Sequence, residues 1–238
     1  MGLKKYTTLF TKIIRYNLKI IFAGKFFWFL LAAFSFFAFF MFQQAWNRTE
    51  INEGSIYSLL FFPCLLLIFY PVIFGIQNDE DNRILEIIFG IPNYRYKIWG
   101  VRMLMVYVAN YFILIIFAYV ALLMLYPVNI FEMAAQLLFP MLFFGNLAFM
   151  FSTITRSGNG TAVIMIILGL VFFLFMTSSG SLEYSYWNVF LNPFATPRDV
   201  HPMVWQDTIF KSRILLIISG IVWLMIGLLN LQKREKFV

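Results

Sequence analysis

What this chain has least of is the chemistry of catalysis. Its 238 residues include one cysteine, Cys64, and one histidine, His201. A lone cysteine leaves no intramolecular disulfide and no cysteine-based metal site. A lone histidine removes most acid–base and metal-centre designs at once. Charge is scarce too: 12% of residues are Asp, Glu, Lys or Arg, against about 25% in a soluble globular domain. No ionisable residue falls in the middle of a long apolar run; Glu132, Lys211 and Arg213 sit near run ends. Ion-coupled carriers and proton pumps place ionisable groups on the pathway, so a self-powered carrier is disfavoured. There is no Gly-rich Walker loop to cradle nucleotide phosphates. Ser185, Asp199 and His201 could be drawn as a hydrolytic set, but three polar residues on one loop are more often structural.

What the chain does have is apolar surface. Hydrophobic residues make up 62% of it and aromatics 21%, with 31 phenylalanines. The reading is an all-α integral membrane protein with one membrane domain. The net charge of +7 raises nucleic acid as a partner. That reading fails, because the basic residues gather at the ends of apolar segments, as membrane topology requires.

Six runs are long enough for the roughly 20 residues a bilayer needs: residues 26–46, 56–76, 103–126, 131–153, 161–177 and 209–231, together a six-span domain over 26–231. Pro63 and Pro71 should kink the second, which neighbouring helices can tolerate. Residues 1–25 read as an amphipathic helix lying in the membrane interface. Leu3, Tyr6, Leu9, Phe10, Ile13 and Ile14 recur at helical spacing, and Lys4, Lys5, Lys12, Arg15 and Lys19 take the other side, toward anionic lipid. A plain basic topogenic tail is the alternative; a signal peptide is not expected. Residues 182–208 hold aromatics among Pro193, Pro197 and Pro202 in runs too short to span. They suggest short helices or a re-entrant hairpin before the last span, with an ordinary extracellular loop as the alternative. Residues 232–238 form a basic tail.

Six spans put both termini on one side. All of the 18 lysines and arginines except Arg48, Arg198, Lys211 and Arg213 then fall on that side. The bias predicts a multi-pass protein of the cell membrane with both termini in the cytoplasm.

The most heavily charged connection is 77–102. Asp79, Glu80, Asp81, Arg83, Glu86, Arg95, Lys97 and Arg102 lie in it, around an apolar cluster of Ile84, Leu85, Ile87 and Ile88. The pattern suits a short amphipathic helix ended by Gly90 and Pro92. A passive six-span body needs free energy from outside, and a partner could grip it here.

These residues resemble the ABC-2 (type V) permease family of ABC transporters. Its pattern after the second span is an acidic residue, Gly-Thr-Leu-Glu, an apolar run, and Pro before an Arg-containing turn. Glu80 matches the first acid, Ile84-Leu85-Glu86 the hydrophobic pair and second Glu, Ile87-Ile88-Phe89 the apolar run, Pro92 the proline, Arg95 the arginine and Gly100 the glycine leading into the third span. Asn82-Arg83 stands where Gly-Thr is usual. The amphipathic start, six spans and re-entrant-like segment also resemble the family. The resemblance implies a coupling helix docked in a cleft of a separate cytoplasmic ATPase dimer. Ile84, Leu85 and Ile88 would be its apolar knobs; Glu80, Arg83, Glu86 and Arg95 would supply charged or capping contacts. It also implies a second permease chain, identical or homologous. ATP and Mg would belong to the partner ATPase, with no cofactor in this chain. The cargo would be exported and would be amphipathic, lipidic or peptidic. A second reading, from another class, is a membrane anchor or assembly subunit that moves nothing. A lipid-modifying enzyme is disfavoured by the missing acid–base groups.

Overall fold

The computed structural model describes residues 26–47, 51–81, 95–178 and 184–231. Among these residues the regular structure is helical: α1 (Phe26–Asn47), α2 (Glu53–Ile73), α3 (Gly75–Asp81), a π-helical turn (Arg95–Gly100), α4 (Val101–Met124), α5 (Ile130–Thr155), α6 (Gly158–Ser178) and α7 (Pro202–Asn230). Six helices are long and apolar enough to cross a membrane, with α2 and α3 counting as one. The chain is therefore a six-span helical membrane protein. The helices run further than hydropathy alone predicts, into both roots of the charged connection and well ahead of the last span.

Local chemistry sets the helix ends. Asn52 caps α2 through a reciprocal box, its side chain accepting from Ser55 N at 2.8 Å. Asn129 Oδ1 accepts from Glu132 N at the start of α5. Arg156 closes α5 with φ 56°, a left-handed cap that turns the chain toward α6. Pro63 and Pro71 lie inside α2, which ends at Ile73, and α3 begins at Gly75 after a break in regular helix at Phe74 that keeps its backbone hydrogen bonds to Tyr70 and Asn78. Ser152 Oγ of α5 donates to the Ile73 carbonyl beside that break, 3.0 Å away. A neighbouring helix thus braces the irregularity.

The hub is α5, which packs against α7, α2, α4 and α6. With no water between helices to drive association, close van der Waals approach holds such a bundle together. Gly145 provides it: a Cβ there would lie 2.7 Å from Tyr107 Oη and 2.9 Å from Ile68 Cγ1. The next residue of α5, Asn146, accepts through Oδ1 from that same Tyr107 hydroxyl at 2.7 Å, tying α4 to α5. Asn146 is thus a polar link between two helices, whereas Ser35 is exposed on α1. α1 and α6 are the most exposed helices, α1 presenting Phe, Trp and Leu and α6 presenting Ile, Val, Leu and Phe, as lipid-facing helices do.

The alternation of the helices brings Phe26, Asp81, Arg95, Arg156 and Leu231 to one end of the bundle, here the loop end. The chain enters and leaves at that end, as six spans require. At the far end, residues 184–200 form a chain of turns with no regular helix among the described residues, in place of the short helices the sequence suggests. The segment still folds back into the bundle. Phe190 packs against Phe61, Phe144 and Phe173. Asn192 Nδ2 donates to the Gly54 carbonyl at 2.8 Å and Ser58 Oγ at 3.1 Å.

Candidate functional site

The loop end is where the sequence places the site, and the described residues there form a locked collar. Asp79, on α3, accepts from Arg102 Nη1 at 2.7 Å. Both side chains are buried. The Arg102 guanidinium also lies over the Trp99 ring, 5.0 Å from its centroid, and Trp99 in turn packs on Phe149 of α5. Cation–π contact and ion pairing suit a planar guanidinium better than an ammonium. The pair joins the residue two before the end of α3 to the second residue of α4. It therefore spans the two roots of the 82–94 connection.

The collar extends around the bundle. Gln77 Oε1 accepts from Gly158 N at 2.6 Å, joining α3 to the start of α6. Asn230 Nδ2 donates to the Thr153 carbonyl at 2.6 Å, joining α7 to α5. Thr155 and Thr161 share a hydroxyl contact of 2.6 Å across the α5–α6 turn. The described ends of α3, α4, α5, α6 and α7 near the connection each have a polar tie to a neighbour.

Glu80 and Asp81 are exposed on one root, Tyr96 and Lys97 on the other. Of the sequence-predicted coupling residues, Glu80 is thus an exposed acid at the rim. Arg95 opens the π-helical turn. Arg83, Ile84, Leu85, Glu86, Ile88 and Pro92 lie outside the described residues, as do Lys4, Lys5, Lys12, Arg15 and Lys19 and the tail 232–238. Asp79 and Arg102 form a buried ion pair that the sequence alone left unassigned. Their opposite charges at the two ends of one connection were the available signal.

No group of three His, Cys, Asp or Glu side chains is placed to hold a metal among the described residues. His201 caps α7, its Nδ1 accepting from Met203 N at 3.3 Å, and Ser185 Oγ accepts from Trp187 N at 3.4 Å. The two serve local backbone geometry. What the loop end offers chemically is a rigid, charged-rimmed platform on a membrane-embedded bundle.

A second buried cation sits at the far end. Arg213 of α7 is 5% exposed. Its Nε donates to Gln136 Oε1 at 2.9 Å, and its Nη2 to the Leu191 carbonyl at 3.2 Å and to Tyr57 Oη at 3.4 Å. It joins α7, α5, α2 and the turn segment at one point. The sequence places Arg213 near a span end; in the structure it is the twelfth residue of the 29-residue α7, and it is packed. Comparison with protein-family models, curated proteins and solved structures gives no match, so the chemistry of these two ends carries the functional reading.

Proposed function

We propose that this chain is the membrane-spanning permease subunit of an ATP-driven exporter of the ABC-2 type. A separate cytoplasmic ATPase dimer, binding ATP and Mg, would dock on the 82–94 connection, beside a second permease chain. The observation that carries the reading is the Asp79–Arg102 pair at the roots of that connection. A push on a slack loop is lost as loop motion. A push on a connection rooted through a buried ion pair is passed to α3 and α4, and through Trp99 and Phe149 to the hub helix. The exposed Glu80 and Lys97 supply rim charges for such a partner. In this reading the loop end, with both termini, faces the cytoplasm, and the cargo is an amphipathic, lipidic or peptidic molecule.

The test is a mild-detergent pull-down of the tagged chain from its native membrane, with partners identified by mass spectrometry. Recovery of a P-loop ATPase at about equal stoichiometry supports the permease. Recovery of the chain with no ATPase rejects it in favour of an anchor or assembly role.

A further inference from the structure

We propose that the far end of the bundle holds a binding site for the anionic headgroup of a membrane amphiphile, built on Arg213 and Trp205. The proposal needs the bundle to sit in a membrane but does not depend on coupling to an ATPase.

A guanidinium stays charged in a protein. Yet every hydrogen-bond partner that Arg213 has among the described residues is neutral: Gln136, Tyr57 and the Leu191 carbonyl. Its other neighbour is the Phe139 ring, 5.5 Å from centroid to guanidinium carbon. No carboxylate among the described residues pairs with it, the ion pairs there being Asp79–Arg102 and Asp207–Lys211. A buried charge without a counter-ion is expensive, the more so in a membrane, where such residues mark ligand or ion sites. The contrast with Arg102, which has Asp79, is direct.

Beside Arg213 lies a cavity of about 420 Å³, whose walls include Trp205, Gln136, Phe139, Phe210 and Glu132. Its size falls in the ordinary range for small-ligand pockets. It suits a headgroup with the first part of a chain, not a whole lipid. Two donors on residues that line this cavity, Arg213 Nη1 and Trp205 Nε1, are buried and without a hydrogen-bond partner among the described residues, so a ligand in the cavity reaches them only after a side-chain shift opens them to it. Both groups donate and neither accepts, so the ligand that completes them is rich in acceptors: a phosphate or carboxylate. Phe139 and Phe210 give that ligand an apolar companion surface, which points to an amphiphile over a free anion. α7 is 29 residues long, about 43 Å at 1.5 Å per residue. That exceeds the hydrocarbon thickness of about 30 Å, so Arg213, some way in from its start, can meet a headgroup that sinks slightly below the interface. Glu132 at the rim is exposed and disfavours a second negative charge, so a singly charged headgroup fits best.

The full-length chain, purified in detergent, is doped with dioleoyl phosphatidylglycerol or dioleoyl phosphatidylcholine, and retained lipid is counted by native mass spectrometry. Phosphatidylglycerol should be retained in preference. Arg213→Gln should cut that retention by about tenfold, the loss of one charge-assisted contact. Trp205→Phe, which keeps a ring in place, should cut it by about threefold. Glu132→Gln should raise it. Gel filtration shows which variants are folded, and Trp205→Phe and Glu132→Gln carry the test if Arg213→Gln is not. Equal retention of the two lipids, or phosphatidylglycerol retention that no folded variant changes, overturns the site. Full displacement of the lipid by inorganic phosphate alone overturns the amphiphile and leaves a free-anion site.

Discussion

Arg102 Nη1 and Asp79 Oδ2 meet at 2.7 Å, buried, across the mouth of the charged connection. Burying two charges is costly, and their attraction offsets this only while both are present. Asp79→Asn should therefore destabilise the folded chain by about 3–5 kcal/mol, because it strands the guanidinium. Asp79→Leu combined with Arg102→Met removes both charges and should cost much less. Thermal unfolding in detergent of the single and double variants checks this. A double variant as damaged as the single one would show that packing, not the charge pair, holds the collar.

Gly145 sits where three helices crowd together. Gly145→Ala should destabilise by about 1–3 kcal/mol through overpacking against Tyr107 and Ile68. Gly169→Ala is the control, since a Cβ there meets nothing within 4 Å. It should leave the unfolding midpoint unchanged in the same assay.

Leu85→Asp and Ile88→Asp each put a charge where the proposed coupling helix needs an apolar knob. Both should lose ATPase association or ATP-driven export while the bundle stays folded. Unchanged association and export in both variants would reject the coupling assignment.

A peptide of residues 1–25 should become helical and sediment with vesicles containing anionic lipid, and release as salt rises. A random-coil circular dichroism spectrum with no sedimentation would reject the interfacial helix.

The spans were legible because a bilayer imposes a length and a composition that a sequence displays directly. Their ends were less so. Asn52, Asn129 and His201 act as caps outside the apolar runs, so hydropathy places each boundary short of the helix. The collar was not legible as contacts. Asp79 and Arg102 are separated by the whole connection, and only the folded bundle brings them together. Arg213 reads in sequence as one more cation near a span end. Its burial depends on Tyr57, Gln136 and Leu191 arriving from three other parts of the chain. The 184–200 segment has the aromatics of an interfacial element, but its prolines and Asn192 shape it as turns.

The collar also has a polymer-physics consequence. Bringing the two ends of a connection together costs conformational entropy, on the order of 2 kcal/mol for a loop the length of 82–94. In this chain the folding of the bundle has already met that cost, because Asp79 and Arg102 fix both ends. A partner that seats the connection therefore spends none of its affinity on loop closure. Cutting the collar should weaken such a complex even though both residues are buried in the bundle.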